Sequence, residues 1–278
     1  MKTFLQQALL ILTIIFFILF ILEFIPINNK HPKSILTESF DSSLRRLNTQ
    51  EKITKYCDSV FSVKLNAHTG SDQDSLFADI AAVLIRKRFY HDWAEYGIGN
   101  NYMALFLQPF MYKKSITPIV DIEDILNSPA AICGQQARVL AAILETKKIS
   151  VRKVLFDHPV YGGHYAIEAF YQGSWHFFDV DKEPNLTLLR PQNRPSLSFL
   201  QDNPDILTKF YNHEDPEMIT AIFKTAKTEN FLKVEGPNLL LFQKSTKILS
   251  YTMWLVFLVL YLLVKNKNAH KRDNTIQN

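Results

Sequence analysis

Two apolar runs constrain this chain more than any other feature. From Phe4 to Ile25 the side chains are almost wholly apolar, and only Thr13 interrupts the stretch from Ala8 to Leu22. At about 1.5 Å of rise per residue, a helix of that length crosses a hydrocarbon core of about 30 Å. A second, largely apolar run of 17 residues, Ile248 to Val264, carries Tyr251, Trp254 and Tyr261. It lies at the short end of spanning length, and its aromatics suit a membrane interface. The first run ends in Glu23-Phe24-Ile25-Pro26-Ile27 with no small-residue cleavage pattern, so it is expected to be an uncleaved anchor rather than a signal peptide.

Charge then orients the chain. Lys265, Lys267, Lys271 and Arg272 follow the second run and Lys2 precedes the first, whereas Lys30 and Lys33 are the only strong bases just beyond the first; Lys244 and Lys247 oppose this mildly. The positive-inside rule predicts two passes through a cytoplasmic (plasma or inner) membrane, both ends cytoplasmic and the centre periplasmic or extracellular. The expected layout is a transmembrane helix in 1–25, a helical part of the outer domain in 26–115, a core with a C-terminal extension in 116–247, a second transmembrane helix in 248–264 and a basic tail in 265–278. Of the formal net charge of +4, about +1 remains on 26–247. That excludes a basic nucleic-acid footprint and leaves the lipid bilayer as the partner of the tail.

Within the centre, Ala131 to Glu145 places Ala137, Leu140, Ala141 and Leu144 at the spacing of an amphipathic helix, with Cys133 at its start. Unpaired N–H groups and the positive end of the helix dipole favour an anion there, a setting that lowers thiol pKa values. Further on, His164 to Tyr171 and Ser174 to Val180 are aromatic and aliphatic and flank Gln172-Gly173, the pattern of two strands and a tight turn. A two-residue loop pairs Tyr171 with Ser174. His164 and Asp179 then become diagonal neighbours on one face, whereas a three-residue loop would send them to opposite faces. Cys133, His164 and Asp179 thus form a candidate nucleophile, base and orienter.

These residues resemble the transglutaminase-like superfamily. Cys133-Gly134 with Ala137 is similar to the cysteine motif of that group and of the related peptide:N-glycanases, and His164, Glu168, Tyr171 to Gly173, Trp175 and Asp179 match its later pattern, over roughly 120–182. The resemblance implies an α+β fold with a papain-like core, a Cys-bearing helix packed on an antiparallel sheet, here with flanking helices and two transmembrane helices. It also implies Cys133 as nucleophile, His164 as general base and acid, and Asp179 as orienter. The family often continues from Asp into Pro, whereas this chain reads Asp179-Val180-Asp181, so Asp181 is an alternative third member. The function implied is a thiol acyltransferase, amidase or peptidase acting through a cysteine thioester on a peptide, protein or other amide-containing substrate. The alternative is an inactive binding module in an envelope or surface-polymer assembly.

The remaining features are local. His31, His68, His91, His158, His213 and His270 show no H-x-x-x-H spacing and the cysteines no Cys-x-x-Cys, so no metal or cofactor is expected. His176 should point away from Asp179 as a solvated or core-edge imidazole, and Trp175 should pack on the hairpin. Trp93 and Asn127 are candidate oxyanion donors, behind the backbone N–H of Cys133. Cys57 could pair with Cys133 outside the cytoplasm, but that would block the nucleophile, so Cys57 is expected to be structural. Helices are expected in Thr37 to Val60, Ser71 to Phe89, Tyr102 to Met111, Ile206 to Tyr211 and Pro216 to Lys227. A strand is expected over Val151 to Phe156, and loops over His68 to Asp72, Asp157 to Gly163 and Asp181 to Pro195.

Overall fold

The structure, a computed structural model, describes residues 2–25, 39–67, 73–112, 118–182, 184–229 and 237–276. The loop expected at His68 to Asp72 and the side chains of Lys271 and Arg272 lie outside the described residues. Contacts divide the chain into two units, one of 1–29, 95–117 and 238–278, the other of 30–94 and 118–237.

The first unit holds α1 (Lys2–Leu22), α4 (Tyr102–Tyr112) and α11 (Pro237–Ile276). Phe4–Leu22 and Asn238–Lys267 are long and apolar enough to cross a membrane. The second helix extends well beyond the 17-residue run on both sides, taking in the apolar Leu239 to Phe242 before it and polar residues after it. Phe16 stacks on Phe257 at 5.0 Å and Phe17 meets Trp254 edge-on at 5.2 Å. The helix at Tyr102 groups by its contacts with these two, whereas the expected layout placed it in the helical part of 26–115. Its first N–H groups have no carbonyl of their own, and Glu23 Oε1 accepts from Asn101 N at 2.6 Å and Tyr102 N at 3.1 Å. Tyr102 also donates its hydroxyl to Ser250 O at 2.9 Å.

The second unit is α+β. A 3-10 turn (Ser42–Arg46) precedes α2 (Gln50–Ala67) and α3 (Gln73–Arg88), and α5 (Ile122–Leu126) leads into α6 (Cys133–Glu145). The strands β1 (Ser150–His158), β2 (Gly162–Tyr171), β3 (Ser174–Phe178) and β4 (Lys227–Glu229) form one antiparallel sheet in the order β3-β2-β1-β4. The expected loop Asp157 to Gly163 shrinks, since Asp157 pairs with Gly163 and His158 with Gly162. Between β3 and β4 run α7 (Leu186–Leu189), α8 (Leu197–Asp202), α9 (Pro204–Phe210) and α10 (Pro216–Lys224). Neither α7, α8 nor β4 was expected, each being too short for a periodic signal.

Tyr171 pairs with Ser174 and Glu168 with Phe177, the register of a two-residue turn, with Gln172 at φ 50° and Gly173 at φ 74°. Alternation therefore sorts the sheet's faces. Val154, Phe156, Ala166 and Phe177 join Leu189, Leu197, Leu200, Leu207, Phe210, Ile222 and Phe223 in a core under α7 to α10. The other face meets α6, where a Cβ at Gly134 would lie 3.1 Å from the Tyr165 ring.

Candidate active site

Cys133 is the first residue of α6, and the chain reaches it along a braced path. Arg88, fully buried, donates to Leu47 O, Ser128 O and Leu126 O at 3.4, 3.1 and 2.5 Å. Tyr90 and Ala130 form a parallel bridge. Ile132 has no side chain with which to cap α6, and Gln135 compensates: its Oε1 accepts from Ile132 N at 3.2 Å and Ala94 N at 3.1 Å, while its Nε2 donates to Ala94 O and Ile119 O. Gln135 N and Gln136 N bond back to Ile132 O. The N–H groups of Cys133 and Gly134 lie in the first turn, where a helix offers no carbonyl.

His164, on β2, lies with Asp179 just past β3. Its Nε2 is 2.9 Å from Asp179 Oδ2. An ionised carboxylate only accepts, so Nε2 carries the proton and Nδ1 is left for the thiol. Asp179 also accepts from Tyr211 Oη at 2.9 Å and from the backbone N–H groups of Asp181 and Lys182 at 3.1 and 3.0 Å. Burial opposes both charges of the pair, yet their attraction and hydrogen bond outweigh it: His164 is held above the ordinary histidine range and Asp179 below the ordinary carboxylate range. Burial, then the charge of Asp179, pushes Tyr211 well above 10, which keeps it a donor.

Asp181 lies on the other side of the imidazole. Its Oδ2 is 3.9 Å from His164 Nδ1, and its Oδ1 accepts from His91 Nδ1 at 2.6 Å and Gln136 Nε2 at 3.0 Å. Of the two acids left open by the sequence, Asp179 makes the hydrogen bond to the ring, at Nε2. His91, dismissed on spacing, is instead at the site through Asp181, and its half-exposed side chain stands on the solvent side. His91, Gln135, Gln136 and Tyr211 were missed. Only the Gln pair carried a sequence signal, by adjacency to Cys133.

The other sequence candidates are placed as follows. Trp93 stands between His91 and Ala94 with its ring partly exposed, and its backbone N–H bonds Asp92 Oδ1. Asn127 is turned to Asn48, from which its Oδ1 accepts at 3.3 Å. His176 is buried rather than solvated, stacked on Tyr171 at 3.8 Å, with Nδ1 against Asn193 O and Nε2 against Tyr171 O. Trp175 packs on Phe170 and under Arg152, whose Nε holds Glu168 Oε2 at 2.8 Å. Cys57 and Cys133 are both free thiols, and burial pushes Cys57 up to about 12, an inert structural residue. Lys153, buried beside the site with its ammonium 3.9 Å over the Tyr165 ring, is pulled down to about 8 by burial and then by the charge of Arg138.

Compared with family models, curated proteins and solved structures, the chain matches none.

Proposed function

We propose that the outer domain is a membrane-anchored thiol acyl-transfer enzyme with a papain-like, transglutaminase-like core. The observation that carries this reading is an imidazole held from behind, with Nε2 2.9 Å from a buried carboxylate and a ring nitrogen within 4.8 Å of the sulfur of a cysteine at a helix N-terminus. In the mechanism, the Cys133 proton passes to His164 Nδ1 and the sulfur attacks an amide carbonyl carbon. First-turn N–H groups of α6 hold the oxyanion. The C–N bond then breaks, the amine leaves with the proton from Nδ1, and a thioester remains. Attack by water makes the protein an amidase or peptidase, and attack by an amine makes it a transglutaminase. Water is the favoured acceptor, since it outcompetes any amine that lacks a dedicated site. The two candidate spans, with Lys2, Lys265 and Lys267 at their outer ends, favour a central domain outside the cytoplasm.

One observation favours the alternative of a binding module without turnover. Cys133 and His164 are only 8% and 7% exposed, so a substrate must be threaded to the sulfur. A thiol-reactive amide probe distinguishes the two. An enzyme labels at Cys133 and loses labelling in His164→Ala, whereas labelling that survives His164→Ala, or never occurs, overturns the catalytic reading.

A further inference from the structure

Sγ of Cys133, a ring nitrogen of His164 and a carboxylate oxygen of Asp181 all lie within 4.8 Å of one another, although no zinc-like spacing links the three along the chain. We propose that this group binds one thiophilic divalent cation, zinc being the best fit, and that the ion closes the site by capturing the nucleophile. The second half of that statement rests on the acyl-transfer reading; the binding itself does not.

Ligand type comes first. One thiolate, one imidazole and one carboxylate are the donors zinc prefers, three protein ligands leave a fourth tetrahedral position open, and thiolate plus carboxylate neutralise a dication. Distance comes second. Bond lengths of about 2.0 to 2.3 Å put tetrahedral ligand atoms about 3.4 to 3.6 Å apart. The 3.9 Å between His164 Nδ1 and Asp181 Oδ2 therefore closes with a few tenths of an ångström of side-chain movement.

The surroundings of the ligands argue more strongly still. Zinc-binding imidazoles are held through their other nitrogen by a carboxylate, which fixes the tautomer and raises basicity. Asp179 holds His164 Nε2 in this way. Asp181 is held likewise, because His91 and Gln136 take its Oδ1 and leave Oδ2 toward the cluster. Asp181 has no task in the proposed acyl transfer, where Asp179 already orients the base. Gln136 also carries a buried Oε1 without a hydrogen-bond partner, an acceptor suited to a water on the ion. The partly exposed His91 gives the ion a route from solvent. Protons balance: the Cys133–His164 pair shares one proton beyond that on Nε2, and binding releases it.

The test reads the thiol rather than turnover, on the full-length chain in detergent. Iodoacetamide labelling of Cys133, followed by peptide mass spectrometry, should slow about tenfold or more with stoichiometric zinc, recover with chelator, and stay unchanged with magnesium or calcium. Cobalt should give a thiolate charge-transfer band that is lost in Cys133→Ser. Asp181→Asn should still label, yet need about 10 to 100 times more zinc for protection. Asp181→Ser carries the same reading should Asp181→Asn not fold. Zinc without effect on wild-type labelling, or equal protection of wild type and the Asp181 variants, overturns the proposal. A chain that transfers no acyl group but is protected by zinc overturns the acyl-transfer reading alone.

Discussion

Replacing Asp179 separates its two tasks. Asp179→Ala strands the Tyr211 hydroxyl, two backbone N–H groups and the buried imidazole, and should cost about 3 to 5 kcal/mol in thermal or denaturant unfolding. Asp179→Asn keeps an acceptor for the backbone but offers an amide N–H to the ring. His164 must then carry its proton on Nδ1, and acyl transfer should fall by about 10³ to 10⁴. Asp181→Asn should reduce the rate far less, and the reverse order in a rate comparison would make Asp181 the orienter. The pair also predicts a pH window. The raised pKa of His164 supplies stability that is full below about 6.5, its unfolded value, and is lost as pH rises through the folded value. The lowered pKa of Asp179 supplies stability present above about 3.9 and lost as pH falls through its folded value. The stability gap between wild type and Asp179→Asn should therefore be widest between these two unfolded values and narrow on either side, as denaturant titrations at a series of pH values will show.

At the scale of elements, the meeting of α6 with β2 matters most. Gly134 admits the Tyr165 ring where a Cβ would stand 3.1 Å from it. Gly134→Ala should push the N-terminus of α6 from the strand that bears His164 and slow Cys133 labelling, with little change in helix content by circular dichroism. The hairpin turn gives a contrasting case. Gly173 has φ 74° and open space around it, so Gly173→Ala meets backbone strain rather than crowding and should lower stability by about 1 kcal/mol with the site otherwise intact. In the unit of α1, α4 and α11, Glu23 caps α4 and lies 3.5 Å from Lys247 Nζ. Glu23→Ala leaves two N–H groups and an ammonium without that carboxylate, and should cost about 1 to 3 kcal/mol, read as a lower unfolding temperature in detergent.

For the whole molecule, the proposed topology makes one demand. With both candidate helices spanning and both ends cytoplasmic, protease added outside intact cells or spheroplasts should digest the region containing Cys133 and spare tags at either terminus. A C-terminal tag cut from outside would mean that only α1 spans. A Cys133 region cut only in inverted vesicles would put the thiol in a reducing compartment and transfer the substrate question to the cytosol.

How much of this the residues announced in advance depends on the range of the forces involved. Hydropathy, helical periodicity and turn chemistry act over a few neighbours, so the two apolar helices, the helix opened by Cys133 and the register that sets His164 beside Asp179 were all readable from local pattern. Signals shorter than one period were not, which is why α7, α8 and β4 emerged only in the fold. The choice between Asp179 and Asp181 also lay beyond the pattern, because both fall on the same face in that register. A hydrogen bond with Tyr211 and two amides decided it for one acid, and contacts from His91, 90 residues away, drew the other to the opposite side of the imidazole. The chain's local pattern determined the two long apolar helices, the hairpin and its candidate pair; tertiary structure alone decided which carboxylate faces which nitrogen, since that rests on hydrogen bonds between residues that no sequence spacing relates.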